Sequence, residues 1–404
     1  MSAFGWLDLD SAASDRAATL LRAFEEPGTL DPIGLGAVRD VFSDLLVPGT
    51  STIQTRLRYF LFIPWICQTL ERDQVTPARF AAELRRREAQ LIDCLRHLGP
   101  NQGVQGITAG AALQRMPSEA YWNGLFSWQI RRRDLSISDY GRSLAHLAQS
   151  SLEVDDDGNP VVRRGGVWAP MPDPPDGFLT DEVTFDLTRE EADVIVDFIR
   201  CSHPQSLLAV STGFAADAAR AEFPWSIPSA RLSGPLAEVV HHARCASELT
   251  VGAQHLYNLL LAERAGAELA WDTDLLQERI RGRLVEWTET LAEHPQDLQR
   301  WVDDIADFWA LVEVHGGTVA AQTKEFVTTM VQRSIENPGG FVDDPTARGR
   351  IHDREIWLKG SRARLGPRSA LENWNLAEFG GQLTYRWESA QSYLGDIAAG
   401  LEAA

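Results

Sequence analysis

The chain has 404 residues, and 44% of them are hydrophobic, enough for one large core or for two or three domain cores, so an intrinsically disordered chain is excluded. Its 38 basic and 57 acidic residues leave a net charge of −19, which repels nucleic acid and anionic lipid at long range; any such partner has to be met by a local patch. Lys324 and Lys359 are the only lysines, and the preference for arginine reads as a coding bias rather than as arginine chemistry.

The opening residues, MSAFGWLDLDSAASDR, lack the basic and apolar pattern of a secretory signal. No apolar run reaches the length of about 18 residues needed to span a membrane. Cys67, Cys94, Cys201 and Cys245 are scattered, unlike a disulfide framework. These features predict a cytoplasmic protein with free thiols and no membrane partner.

A helical period dominates. Ser11 can cap a helix carrying Leu20, Leu21 and Phe24; Thr76 and Pro77 open another, in which Phe80, Leu84, Leu91, Leu95 and Leu98 form one stripe that Gly99 ends. Two more helices are predicted around Tyr121 to Ile130 and Ser138 to Gln149. Residues 151–187 change texture, with Pro, Gly and Asp clusters around short Val pairs, which predicts a hairpin and loop region. Thr188 and Glu191 then have the spacing of a capping box ahead of TREEADVIVDFI. From Gly234 almost to Glu336 the pattern is helical again, without a fixed repeat. The expectation is a mainly α, multi-helical globular protein with a small β or irregular insertion. It has an N-terminal helical subdomain (1–150), a hairpin or irregular linker (151–187) and a C-terminal helical subdomain (188–404).

The densest stretch is PGTSTIQTRLRYFLFIPWICQ, Pro48 to Gln68. A helix starting near Thr52 would have two apolar faces, which predicts a central helix bent at Pro64, and one polar stripe of Thr52, Thr55, Arg56 and Tyr59. That stripe is a candidate anion or phosphate site at a helix start. Arg56 and Arg58 would lie about 200° apart, so they cannot share one phosphate, and the spacing and lysine of a Walker loop are absent. The competing expectation is capping, with a buried Arg58 paired to a carboxylate such as Asp40 or Asp44.

A second candidate lies between Pro345 and Arg368. Arg348, Arg350, Arg354, Lys359, Arg362, Arg364 and Arg368 face only Asp353 and Glu355 there, an excess of five positive charges in an acidic chain. With His352, Trp357 and Trp374 nearby, this strip could contact phosphates and stack bases, or could bind a protein partner. A charge run of this kind more often pairs with the protein's own acidic helices.

Other chemistry is poorly supported. Cys201 with His203, and His241, His242 with Cys245, do not follow zinc-ligand spacings. Asp155 to Asp157 lack the glutamate that closes a calcium loop, and Asp303 with Asp307 reads as a solvated helix face. Ser211 lies outside a nucleophile elbow, and Glu355 and Lys359 are four apart, not in the E-x-K pattern of a restriction-type nuclease. No metal and no cofactor is expected.

The strings FGWLD (Phe4 to Asp8), PGTSTIQTRLRYFLFIPW, KGSRARL, ENW and YRWESA together resemble a bacterial protein family of unknown function, across essentially the whole chain. The resemblance implies a bacterial cytosolic protein encoded near phage-defence and helicase genes, and it brings no catalytic residue. The expected function is a non-catalytic helical subunit or adaptor of a bacterial multiprotein system, set in antiphage defence, with protein partners. The alternative is a phosphate-handling or nucleic-acid-processing enzyme that uses both candidate segments.

Overall fold

The computed structural model describes residues 31, 33–150, 166–293, 295–316 and 319–403, with the backbone alone for 145–150. The described residues form sixteen α-helices and no strand. In chain order these are α1 (Gly36–Leu46), α2 (Tyr59–Arg72), α3 (Pro77–Leu95), α4 (Pro117–Ser127), α5 (Ile137–Ser150) and α6 (Arg189–Ser202). Two short helices follow, α7 (Leu207–Ser211) and α8 (Ala215–Ala218), and then the 36-residue α9 (Gly234–Leu269). The rest are α10 (Asp274–Glu293), α11 (Pro295–Asp303), α12 (Ile305–Gly316), α13 (Ala321–Glu336), α14 (Pro345–Lys359), α15 (Arg368–Leu371) and α16 (Trp387–Glu402). The expected helix with Leu20, Leu21 and Phe24, and the Asp155 to Asp157 turn, lie outside the described residues.

The chain divides into two compact units that are each discontinuous in sequence. One comprises Met1–Val41 with His242–Leu383, the other Phe42–His241 with Thr384–Ala404. The expected boundaries near 150 and 188 both fall within the residue range of the second unit.

In the 42–241 unit, α2 is the central helix. Ten of its fourteen residues are buried, on every side of the helix, so it gains stability by burial on all faces. Phe60 stacks on Trp128 with centroids 4.0 Å apart, and Tyr121 and Tyr393 meet the Phe60 ring edge-on. The helix starts at Tyr59, seven residues later than the sequence suggests, and runs on through Pro64. The delay originates at Gly49, whose φ of +79° turns the chain, and a Cβ there would strike the Trp128 indole. Beyond that turn, side chains from other elements take the N–H groups of Thr55, Arg56 and Leu57, so these do not enter a helical ladder.

The capping box forms as expected: Glu191 N–H donates to Thr188 Oγ1 at 3.2 Å, and Thr188 N–H donates to Glu191 Oε2 at 3.0 Å. In α3 the predicted stripe is buried at Phe80, Leu84, Leu91 and Leu95. Thr76 makes no side-chain cap bond, and Gly99, with a φ of +84°, follows a short 3₁₀ turn. Between 166 and 187 the backbone is irregular. Its one sheet-like feature is an isolated antiparallel bridge between Arg131 and Trp168, so the described part of the insertion contributes no hairpin.

In the other unit, Gly252 on α9 lets Trp287 of α10 lie against the helix backbone, where its Nε1–H donates to Glu248 O at 2.8 Å. Trp287 also packs on Phe341. Asp303 and Asp307 do not share one helix: α11 ends at Asp303 and α12 starts at Ile305, because the backbone turns at Asp304.

Candidate functional site

Residues 51–57 form a loop read by one face of α16. Ser389, Ser392, Tyr393 and Asp396 follow the i, i+3, i+4, i+7 spacing and so line one stripe. Ser389 Oγ donates to Ser51 O at 2.9 Å, Ser392 Oγ to Thr55 O at 2.7 Å, and Tyr393 Oη to Gln54 Oε1 at 2.9 Å. Asp396 completes the row. Its carboxylate accepts from Arg56 Nη2 at 2.7 Å, from Arg56 Nε at 3.1 Å and from Leu57 N–H at 2.9 Å.

The anion held by the Thr52 to Tyr59 segment is therefore the protein's own Asp396. The other candidate residues are also engaged, except exposed Thr52. Thr55 Oγ1 donates to Gly103 O at 2.6 Å, and Tyr59 Oη accepts from Gln105 N–H at 3.0 Å. Burial raises the Asp396 pKa, against the opposing pull of Arg56.

Arg58 is buried and paired, as the capping alternative expects, but its partner is Glu191 rather than Asp40 or Asp44. Arg58 Nη2 donates to Glu191 Oε1 at 2.7 Å and Nη1 to Thr184 O at 2.9 Å. Asp40 is taken by Arg39 and Asp44 by Arg386. Sequence spacing could not reveal a partner 133 positions away.

The Arg-rich segment becomes α14 and the turns after it, in the other unit. Asp344 caps α14, accepting from Ala347 N–H at 2.8 Å and from Arg333 at 2.6 Å. Most of the cations are spent internally. Arg348 pairs with Glu263, Arg350 with Glu325, Lys359 with Glu355 and Arg368 with Glu372. Arg354 is buried and uses backbone acceptors: Nε donates to Ile33 O at 2.8 Å and Nη2 to Gly34 O at 3.1 Å. Burial lowers its pKa, partly offset by Asp31. Arg364 lies over the Phe379 ring at 5.3 Å, and exposed Arg362 makes no ion pair among the described residues. Buried Glu355 also accepts from Tyr257 Oη at 2.6 Å and from Leu365 N–H at 2.8 Å, which gives it a structural role in holding the end of α14.

The solvent side of α14 carries Ile356, 37% exposed, and Trp357, 51% exposed. The Arg354 guanidinium lies 4.9 Å from the Trp357 ring centroid, so one face of the indole is supported and the other meets solvent.

One further pair escaped the sequence reading. Ser127 Oγ and His203 Nε2 are 2.8 Å apart, and the same nitrogen is 2.9 Å from Ser127 O. A proton on Nε2 serves both oxygens and clasps the last turn of α4 to the end of α6; in that tautomer no lone pair faces the hydroxyl. Burial lowers the His203 pKa, which favours the neutral ring. Among the described residues no cluster of three or more His, Cys, Asp or Glu side chains could hold a metal ion. No described helix is long and apolar enough to cross a membrane.

Compared with known families, residues 1–400 match the model of DUF6361, a family of unknown function. The chain belongs to that family. No curated protein and no solved structure matches this DUF6361 chain.

Proposed function

We propose that this DUF6361 protein is a non-catalytic helical adaptor in a bacterial multiprotein system, working in the cytoplasm and, by the resemblance noted above, in an antiphage-defence setting. The observation that carries the reading is Trp357. A large indole is held in place by Arg354, half exposed beside Ile356, on a helix whose cations are mostly neutralised within their own unit. A pre-ordered aromatic side chain is the kind of group that anchors protein interfaces, because little rotamer freedom is lost when it is covered. A phosphate-tracking strip would instead keep its arginines free for the backbone of a nucleic acid.

The test is affinity purification of the tagged full chain from its native host. A partner recovered with the wild-type chain and lost with Trp357→Ala, in a protein with unchanged circular dichroism, supports the reading. Tight DNA or RNA binding that weakens roughly a thousandfold between 50 and 200 mM salt, and that disappears in a folded Arg362→Glu/Arg364→Glu variant, overturns it.

A further inference from the structure

Residues 375–383 are irregular chain laid against α9 and α10, all within the unit that contains 242–383. None of them makes a backbone–backbone hydrogen bond among the described residues. Side chains hold the segment instead. Asn258 of α9 reads the Phe379 residue in both directions, its Nδ2 donating to Phe379 O and its Oδ1 accepting from Phe379 N–H at 3.1 Å. About three turns earlier on α9, Ser247 Oγ accepts from Leu383 N–H at 2.7 Å and donates to Gln382 Oε1. From α10, Arg279 and Arg283 each donate to one oxygen of Glu378, the second at 2.6 Å, and neither arginine has another carboxylate among the described residues. The Phe379 ring centroid lies 5.3 Å from the Arg364 guanidinium and 6.4 Å from the Tyr257 ring.

The fit of this segment is incomplete. Leu376 enters it at a φ of +60°, and Tyr385 and Arg386 follow it at +52° and +61°, a left-handed conformation that strains side chains of this size. Between its two anchors on α9, Gly380 passes over Gln254 and His255, whose Oε1 and Nδ1 are buried and make no hydrogen bond. Buried polar atoms left without partners weaken the contact, and a half-exposed segment held by a few side chains opens before the rest of the fold. We infer that 375–383 is a releasable strap, an internal ligand that yields its groove on α9 and α10 to an extended segment of a partner protein carrying an acidic residue followed by an aromatic one. The strap itself displays what the groove takes: a carboxylate at Arg279 and Arg283, a peptide backbone at Asn258 and a ring beside Arg364. With Glu378 withdrawn, the two guanidiniums lose their only carboxylate, so the vacated groove selects the same chemistry. The inference rests on the adaptor reading and adds to it a recognition groove that the strap keeps closed until a competing segment replaces it.

The experiment uses the full chain and a fluorescein-labelled peptide with the strap's own sequence, Leu-Ala-Glu-Phe-Gly-Gly-Gln-Leu-amide, beside its uncharged counterpart with Gln in place of Glu, read by fluorescence anisotropy. Glu378→Ala/Phe379→Ala removes the strap's own anchors. That variant is expected to bind the acidic peptide about tenfold more tightly than the wild type, in which the strap competes, and about tenfold more tightly than it binds the uncharged peptide. Adding Arg279→Ala and Arg283→Ala should erase the preference for the acidic peptide. Unchanged thermal melting is the control for folding, and Glu378→Gln, which loosens only the arginine clasp, should give a smaller gain in the same direction. In the wild type, amide hydrogen exchange of 375–383 should run about a hundredfold faster than that of the α9 amides it covers. Trp357→Ala should leave peptide binding and exchange unchanged, which separates failure at this groove from failure of the α14 interface. Equal affinity of the wild type and the strap variants, equal binding of the two peptides, no saturation up to about 1 mM, or exchange of 375–383 as slow as that of α9 overturns the inference.

Discussion

Glu191 Oε1 accepts from Arg58 Nη2 at 2.7 Å while its other oxygen accepts from the N–H of Thr188, so one buried carboxylate both caps α6 and neutralises the guanidinium at the start of α2. Removing it leaves a buried cation without a counter-charge and a helix without its box. Glu191→Ala is expected to cost about 3 to 5 kcal/mol in urea unfolding. Glu191→Gln keeps one acceptor oxygen but turns an NH2 donor toward either Arg58 Nη2 or Thr188 N–H and removes the counter-charge, and it should cost about 1 to 3 kcal/mol. In an Arg58→Met background the Gln substitution should cost much less, because the charge it leaves unpaired is gone. An unchanged cost there would mean that the pair is not coupled.

Glu88 gives the fold a pH dependence of known sign. Its carboxyl is buried, accepts from Ser118 N–H at 2.6 Å near the start of α4, and burial pushes its pKa up to about 7, helped by nearby Glu119 and opposed by Arg85. A raised carboxyl pKa means that the folded state holds the proton more tightly than the unfolded chain. This contribution is fully present below the ordinary value of about 4.5 and is lost as pH rises through about 7, a loss of roughly 3 kcal/mol. Glu88→Gln keeps the acceptor and removes the titration. Its melting temperature at pH 8 should exceed that of the wild type, and the difference should vanish near pH 5. A variant melting below the wild type at pH 8 would show that the carboxylate is well solvated there.

The local signals were readable because they are contained within one turn or one helix. Thr188 and Glu191 are three apart, the α3 stripe follows the helical period, and Pro48–Gly49 marks a turn whose glycine has to be a glycine. What escaped sequence reading is carried by distant pairs. The start of α2 moved to Tyr59 because Tyr121 and Asp396 claim the backbone ahead of it, and neither can be found by spacing. The polar stripe of Ser389, Ser392, Tyr393 and Asp396 was visible as a pattern in YRWESAQSYLGDIAAG, but what it faces was not. Likewise the charge excess of 345–368 counts only its own residues, whereas Glu263 and Glu325, which neutralise Arg348 and Arg350, lie outside it.

The four cysteines differ sharply in access. Cys201 is exposed and Cys94 intermediate, whereas Cys67 and Cys245 are buried, and burial raises the pKa of both buried thiols. A thiolate is the reactive form. A disulfide-exchange reagent at pH 8 should therefore label Cys201 quickly, Cys94 more slowly, and Cys67 and Cys245 only after denaturant is added. Mass spectrometry of the labelled peptides checks the order. Rapid labelling of Cys67 in the native protein would contradict the packing of α2.

Asp396 provides the last test, because it occupies the position an external anion would need. Asp396→Ala leaves the Arg56 guanidinium and the Leu57 N–H without their acceptor, in a site where the lost carboxylate was largely buried. The cost is expected to be about 2 to 4 kcal/mol, below that of a fully buried pair because Arg56 is partly exposed. Asp396→Asn should cost less than the alanine change, about 1 to 3 kcal/mol, since the amide oxygen can still accept from Leu57 N–H while its NH2 meets the Arg56 donors. The alanine variant also opens a small anion site of known composition. Formate or acetate added to Asp396→Ala should raise its melting temperature relative to the same salt as chloride, and should do nothing comparable for the wild type. If the anion stabilises both proteins equally, Arg56 and Leu57 do not form the anion-holding pair described here. If Asp396→Ala melts with the wild type, the face of α16 that reads residues 51–57 is not what holds that loop.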